Sequence, residues 1–371
     1  MNHITLHLIN LFKLNINYSK RIFGLDILRA FAITEVVLVH GRIVLGNIET
    51  GFPYIRLVPG VPLFFVLSGF LIGSILINIF EKKGSSIPVI FNFLKRRWFR
   101  TLPNYYLILL VNIIFVYFGI IKEDFTQFNF SFFIFSQNLF HPFHGFFWES
   151  WSITIEEWFY LSFPLLFAFM LFVFSSNKLK NIFLAVIVVY ALFPLVLRFS
   201  ALENSGLWAG NTIRGTVVYC LDAIAYGILG AYFKKYYLTI WNKYKWHFFI
   251  VGMLVIVFIL NVDKNSWGNY YKVLSSPILS VGILLVFPLA DSLKTGNIYL
   301  VKIITHISVI SYSMYLVNLA IVAEVIRDNF MPIGYTQTVI AYIAYWFAVI
   351  TLSTAMYKFY EKPLMDLRDR K

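Results

Sequence analysis

Residues 24–40 read GLDILRAFAITEVVLVH, and this stretch decides which kinds of fold the chain can adopt. It is apolar enough for a membrane-spanning helix, yet it carries Arg29 and, eleven positions later, His40. Eleven residues turn an α-helix through about three full turns, so both side chains leave one face about 16 Å apart along the axis. An arginine in this setting costs about 2.5–3.5 kcal/mol, which favours a functional site or pathway. The alternative is an arginine that reaches the membrane surface and a histidine bonded to a neighbouring helix.

The composition indicates an all-α, polytopic membrane protein. Of the 371 residues 59% are hydrophobic and only 13% are charged, with a mean hydropathy of +0.74, so the charges are too few for a water-soluble surface. The net charge of +13 could suggest nucleic acid, but the basic residues lie between apolar runs, where they set membrane orientation. We expect no nucleic-acid partner. Cys220 is the single cysteine, and His141 and His144 have no evident third ligand, so we also expect no metal site.

Long apolar runs predict a bundle of about ten spanning helices, which begin near residues 25, 57, 101, 152, 181, 214, 246, 270, 304 and 337. The segment Phe128–Phe140 is too short to cross easily and is expected to be re-entrant or interfacial. Most of the 31 Lys and Arg residues then fall on the side of the amino terminus, which predicts that both termini are cytoplasmic. We expect a cytoplasmic amphipathic segment (1–20), which is not a signal peptide, a membrane domain (21–363) and a basic cytoplasmic tail (364–371), without a soluble domain.

The second apolar run, residues 59–73, reads PGVPLFFVLSGFLIG. Gly69 and Gly73 are four positions apart and predict the close approach of another helix. Ser68 could be a nucleophile, but no base lies near it in sequence. A hydrogen bond from Ser68 to a neighbouring helix is the better interpretation.

A basic cluster follows in residues 95–103, which read KRRWFRTLP. Thr101 and Pro103 are helix-start signals, so we expect the cluster to precede the third spanning helix at the cytoplasmic surface. Arg97 and Arg100 could hold phosphate groups, since guanidinium forks suit phosphate oxygens. The alternative is ordinary topology charge in contact with lipid headgroups.

Acidic residues also occur within apolar runs, where they are costly and need partners. Glu156 and Glu157 are adjacent near the start of the fourth run, at a depth below the outer surface that would let either pair with His40. Glu35 lies about 140° around its helix from His40 and cannot orient it. Asp222 is expected either to pair with Arg29 or to face a solvated cavity.

Taken together, these motifs resemble the acyltransferase-3 family of integral membrane O-acyltransferases, from about Gly24 to Pro363. The resembling segments, in order, are 24–40, 60–72, 97–100, 151–164, 221–227, 310–316 and 360–363. Two positions depart from the pattern. Many members have an acidic residue where Pro62 stands and a histidine where Asn318 stands, and we expect neither departure to touch the Arg29/His40 pair.

The resemblance implies transfer of an acyl group, most often acetyl, from acyl-CoA to a hydroxyl of a surface polysaccharide, a lipopolysaccharide or a lipid-linked sugar. It implies a multi-pass protein of the bacterial cytoplasmic (inner) membrane, in contact with membrane lipids. Acyl-CoA would be a co-substrate, and no tightly bound cofactor is expected. His40 would be catalytic, oriented by Glu156 or Glu157, with the donor bound by Arg29, Arg97 and Arg100.

Two other classes remain compatible with the residues. An exporter or flippase of a glycan or lipid-linked sugar would use the intramembrane charges to line its pathway. A scaffold in a glycan-synthesis complex would need none of them for chemistry. Replacement of His40 separates these classes, because a pathway tolerates that change better than acyl transfer does.

Overall fold

The structure, a computed structural model, describes residues 14–46, 58–141, 145–174, 179–201, 215–330, 332 and 334–369. Over these residues the chain is helical and contains no strand. The main helices are α1 (Phe23–His40), α2 (Gly60–Lys83), α3 (Ile87–Tyr117), α4 (Ser150–Phe174), α5 (Leu179–Ser200), α6 (Asp222–Tyr236), α7 (Lys245–Asn261), α8 (Lys264–Ser292), α9 (Ile298–Val317), α10 (Val325–Phe330), α11 (Tyr335–Met356) and α12 (Lys362–Asp369). Two π-helical segments, Asn318–Glu324 and Tyr357–Glu361, join α9 to α10 and α11 to α12.

Each of the ten predicted apolar runs falls on helical structure, and seven helices of the described part are long and apolar enough to span a membrane. These seven are Gly60–Lys83, Ile87–Tyr117, Ser150–Phe174, Leu179–Ser200, Ser266–Ser292, Ile298–Phe330 and Tyr335–Arg368. The other three are shorter: α1 has 18 residues, α7 has 17 and α6 has 15. The all-α membrane bundle is therefore supported at the level of seven candidate spans, while the count of ten and the cytoplasmic termini stay predictions.

Helix α1 lies between two hydrophobic cores. Its Leu25 and Ala32 belong to a core built largely by α2, α4, α5, α6 and α8. Its Val36 and Val37 belong to a second core shared with α3, α9 and α11. The polar residues of α1 are therefore held in the middle of the bundle, which fixes their positions relative to both cores.

Helices α2 and α6 approach each other closely, as the glycine pair predicted. A methyl group on Gly69 would lie 2.0 Å from the backbone oxygen of Ile224, and one on Gly227 would lie 2.1 Å from that of Val66. Both distances are shorter than any tolerated contact, so only glycine fits at either position. This contact fixes α2 against α6 and sets the position of Ser68.

The expected start of the third spanning helix is wrong. Helix α3 begins after Ser86, has Pro88 in its first turn and continues without a break through the basic cluster, with Pro103 inside it. The Thr101 hydroxyl is directed to a side chain on another helix, so it does not cap this one. The local start signal failed because α3 is packed against the bundle along its length, which outweighs one internal proline.

The short segment Phe128–Phe140 does not form a spanning helix, as predicted. It contains the 3₁₀ turn Phe130–Phe133, and the hydroxyls of Tyr105 and Tyr106 on α3 donate to the backbone oxygens of Phe132 (2.9 Å) and Phe133 (2.7 Å). Of the predicted amphipathic segment, residues 1–13 lie outside the described residues. At the other end α12 continues into the predicted tail, where Arg368 donates to the backbone oxygen of Arg96 at 3.2 Å.

Candidate functional site

His40 ends α1 and is held by a residue on the helix that packs beside it. Its ring Nδ1 lies 2.6 Å from Oδ1 of Asn318. The amide nitrogen of Asn318 donates to the backbone oxygens of Met314 (2.8 Å) and Tyr315 (2.7 Å), so the amide oxygen is the atom that faces the ring. An amide oxygen only accepts, and therefore Nδ1 carries the proton. In the neutral ring Nε2 is then an acceptor without a hydrogen-bond partner among the described residues, which is the form that a general base requires.

This contact corrects two predictions. Asn318 was expected not to touch the Arg29/His40 pair, yet it is the hydrogen-bond partner of His40. Glu156 and Glu157 were expected to orient the imidazole, but their hydrogen bonds go to other residues. The expectation failed because it compared depths along separate helices, which cannot show the direction in which each side chain points.

The two carboxylates lie instead with the basic residues of α3. Arg97 and Arg100 are both within electrostatic range of Glu156, and Arg97 is also within range of Glu157. We call these four residues, together with Glu361, the charged cluster. Opposite charges so placed compensate one another, which explains how they persist in an apolar bundle.

Hydrogen bonds fix the acidic side of the charged cluster. The Thr101 hydroxyl donates to Glu157 at 2.8 Å, and the Tyr160 hydroxyl donates to Glu156 at 3.0 Å. The Tyr160 oxygen also lies in short contact with Ser68 of α2. Ser68 thus makes the interhelical hydrogen bond that the sequence favoured.

Glu361 brings the carboxyl end of the chain into the charged cluster. This residue ends the second π-helical segment and is 3% exposed. Its Oε2 accepts from Asn104 of α3 at 2.8 Å and from Ser313 of α9 at 2.7 Å, and Arg100 is within electrostatic range. The family motif at residues 360–363 contained this residue, but the sequence alone gave it no role, because its partners lie far away in the chain.

Arg29 belongs to α1 and lies near the charged cluster. Its guanidinium donates to Ser308 of α9 at 3.2 Å and lies 3.5 Å from the carboxylate of Asp26. Arg100 is within electrostatic range, and the like charges raise the cost of burying both. Asp26 also accepts from Arg21 and from Ser308. Asp26 therefore fixes the amino end of α1, a role that sequence reasoning missed although the residue stands in the opening motif.

Asp222 does not pair with Arg29. It forms an ion pair with Arg198 of α5, and both side chains are almost fully buried. Arg198 also donates to the backbone oxygen of Tyr219 at 3.0 Å. The prediction was wrong because Arg198, in the last turn of α5, lies in the core and pairs with Asp222 there.

The geometry thus provides a histidine with an acceptor nitrogen at the end of α1 and, near Arg29 of the same helix, the buried arginines and carboxylates of the charged cluster. Such a pair of regions suits a substrate with an anionic end and a reactive end. Within the described residues no group of three or more His, Cys, Asp or Glu side chains is arranged to hold a metal ion. His141 is described and His144 is not, so their predicted lack of metal binding stays a prediction.

Comparison with known proteins adds a family and several relatives. A family model described as an acyltransferase domain, that of acyltransferase-3, matches residues 22–358. Proteins named O-acetyltransferase OatA from several Staphylococcus aureus strains, among them COL and MRSA252, are 27% identical over 380 aligned residues. That alignment covers 94% of this chain and 58% of each relative.

A second type of relative is named putative O-acetyltransferase SACOL0978, from Staphylococcus aureus COL. It is 27% identical over 337 residues, which are 81% of this chain and 51% of that protein. The chain therefore spans little more than half the length of these relatives. No solved structure matches the chain.

Proposed function

Since the chain belongs to the acyltransferase-3 family, we propose that it is a membrane O-acetyltransferase that moves an acetyl group from acetyl-CoA to a hydroxyl of a carbohydrate. The acceptor would be a surface polysaccharide, a lipopolysaccharide or a lipid-linked sugar, and the site of action the bacterial cytoplasmic (inner) membrane. The relatives named O-acetyltransferase support the transferred group. The division into an amino-terminal segment (1–20), a membrane domain (21–363) and a carboxy-terminal tail (364–371) is part of this proposal.

The observation that carries the proposal is the state of His40. Asn318 accepts a hydrogen bond from Nδ1–H and leaves Nε2 as an acceptor, as in hydrolases in which an asparagine orients the histidine. In the reaction, Nε2 removes the proton of the acceptor hydroxyl while its oxygen attacks the thioester carbonyl. The C–S bond breaks, an ester forms, and the CoA thiolate takes the proton from the imidazolium. An alternative order has Nε2 carry the acetyl group briefly before the hydroxyl receives it.

The donor would enter along the face of α1 that joins Arg29 to His40. Acyl-CoA has several phosphate groups and a long thin arm. The phosphates would bind Arg97 and Arg100, whose guanidinium forks match phosphate oxygens. Arg29 would contact the arm on its way, and the separation of about 16 Å between Arg29 and His40 suits such an extended group. Glu156 and Glu157 hold the arginine side in place in this scheme, which is a different role from the one expected.

The test is acetylation of the acceptor in cells and in membranes. Surface glycans are compared by mass spectrometry between cells with the protein, cells without it and cells with His40→Ala. Loss of acetyl groups in both of the latter supports the proposal. As a matched control, His306→Ala removes a half-buried histidine of α9 that is bonded to Thr354 (3.1 Å) and should leave acetylation intact. Normal acetylation by His40→Ala, or loss of the glycan itself from the surface, would favour the exporter instead.

A second test addresses the donor site. Arg97→Ala and Arg97→Lys should both weaken acetyl-CoA binding, because a point charge does not reproduce a guanidinium fork. Arg96→Ala removes the same charge one position away, at an exposed side chain, and serves as the control. Equal acetyl-CoA affinity in all three variants would mean that Arg97 does not bind the donor and serves only as a positive charge that sets membrane orientation. Acetyl-CoA affinity is measured directly on purified protein, so the result does not depend on the acceptor.

A further inference from the structure

Glu149 is a buried carboxyl group that the reaction scheme above does not use. It stands directly before α4 and is 1% exposed. Its Oε1 accepts from the backbone N–H of Ala320 at 2.9 Å. Its own backbone oxygen accepts from the hydroxyl of Tyr315 at 3.1 Å. Glu149 thus contacts α9 on one side of Asn318 and the π-helical segment on the other.

Asn318 is the first residue of that segment, which runs to Glu324. A π-helical turn shifts the hydrogen-bond ladder of an α-helix by one residue, and such turns are found at functional sites. Here the N–H of Ala320, two residues after Asn318, donates to the side chain of Glu149, directly before α4. The segment around Asn318 is consequently hydrogen-bonded to Glu149 through the Tyr315 hydroxyl on one side and through the Ala320 N–H on the other.

We propose that Glu149 is a positioning residue that holds the π-helical turn so that Oδ1 of Asn318 stays against Nδ1 of His40. The inference rests on the proposed function, because positioning has meaning only if His40 reacts. It accounts for a carboxyl group buried where an apolar side chain would cost less. It also links the start of α4 to His40, which lies on a different helix.

The surroundings of the second carboxylate oxygen of Glu149, Oε2, indicate which substitution should be tolerated. Oε2 has no hydrogen-bond partner among the described residues, and Glu123 and Glu324 are both within electrostatic range. Burial first, and then the charge of Glu123, raises the pKa of Glu149 well above its usual range, against the Ala320 hydrogen bond. Both effects favour the uncharged form of the carboxyl group over the carboxylate. A glutamine has the same shape and keeps an oxygen for the N–H of Ala320.

The experiment measures acetyl transfer by the full-length protein in liposomes, with labelled acetyl-CoA and the glycan acceptor. Glu149→Ala should lower kcat by about tenfold with an unchanged KM for acetyl-CoA, since only the position of His40 is altered. Glu149→Gln should restore most of the activity. The double variant Glu149→Ala/Asn318→Ala should be no slower than Asn318→Ala alone, because Glu149 acts through Asn318.

Two further variants test the same hydrogen bonds in case Glu149→Ala does not fold. Tyr315→Phe removes only the bond to the Glu149 backbone oxygen and its partner Ser152, and should lower kcat in the same direction by less. Ser152→Ala removes the Ser152 bond alone and should retain kcat. A Glu149→Ala enzyme with normal kcat, or a double variant in which the two losses multiply, would overturn the positioning role. Absence of transfer by the unaltered protein would instead contradict the proposed function.

Discussion

Replacing Asn318 by alanine should disable His40 while leaving the bundle assembled. The change removes the oxygen that accepts from Nδ1 at 2.6 Å and leaves that donor unpaired beside two buried cores. An unpaired buried donor costs about 1–3 kcal/mol, which corresponds to about ten- to hundredfold in rate if the whole cost falls on the reactive orientation. Because the hydrogen bonds of Asn318 go to His40, Met314 and Tyr315 and not to the charged cluster, donor binding should not change. We therefore expect a lower kcat at an unaltered KM for acetyl-CoA.

The assay is acetyl transfer in liposomes, with thermal unfolding measured on the same preparations. Asn138→Ala is the matched control, since Asn138 is also fully buried and donates to two backbone oxygens, those of Trp151 (3.0 Å) and Gly215 (2.6 Å). Both substitutions should lower the unfolding temperature by similar amounts. Only Asn318→Ala should lower kcat.

Two results would refute this reasoning. If Asn318→Ala keeps its kcat, the histidine does not depend on the amide for its orientation or its proton position. If Asn138→Ala loses as much activity as Asn318→Ala, the effect reports general loosening of the bundle. A rise in the KM for acetyl-CoA would mean that Asn318 lies on the donor path, which would move the thioester contact away from Nε2 of His40.

Three further predictions concern stability. Burial and the nearby Glu324 raise the pKa of Glu123 from 4.5 to about 7, against a hydrogen bond from the backbone N–H of Phe147. Between these two pH values the native state binds more protons than the unfolded state. The free energy of unfolding should therefore fall by about 3 kcal/mol as the pH rises from about 4.5 to about 7. Glu123→Gln should remove this slope in thermal melts across the same pH range. Asp222→Ala leaves the Arg198 guanidinium without its carboxylate in the core and should destabilise the protein by about 3–5 kcal/mol. Replacing both residues with apolar ones should cost much less stability. Equal melting temperatures for the single and the double variant would contradict this prediction. Gly69→Ala should prevent close packing of α2 on α6 and lower the yield of monodisperse protein in detergent. Gly215→Ala, at a position with open space around it and without a positive φ, should be far milder.

Much of the architecture follows from local sequence properties. Apolar runs place the helices, and the four-residue glycine spacing identified the contact of α2 with another helix, because both features depend on neighbours within one or two turns. The shared face of Arg29 and His40 likewise follows from helix geometry alone. These features need no knowledge of how the helices are arranged.

The partners of the polar residues could not be predicted in this way. His40 bonds to Asn318, 278 positions along the chain, and Glu361 bonds to Asn104 at a similar distance. A sequence shows that a buried charge needs a partner, but several residues of suitable type lie at a compatible depth. The start of α3 failed for the related reason that Thr101 bonds to another helix instead of capping its own.

The nature of the partner of His40 bears on how the site would work. A carboxylate beside the ring would fix its orientation and also stabilise its positive charge, whereas an amide fixes the orientation and stabilises that charge much less. Glu156 and Glu157 instead face Arg97, and Glu156 lies about 9 Å along α4 from its first residue, Ser150. The negative charges thus balance the arginines, and the histidine has a neutral neighbour. A ring with a neutral neighbour would return its proton more readily than one beside a carboxylate, which suits the proposed role of His40 as a base.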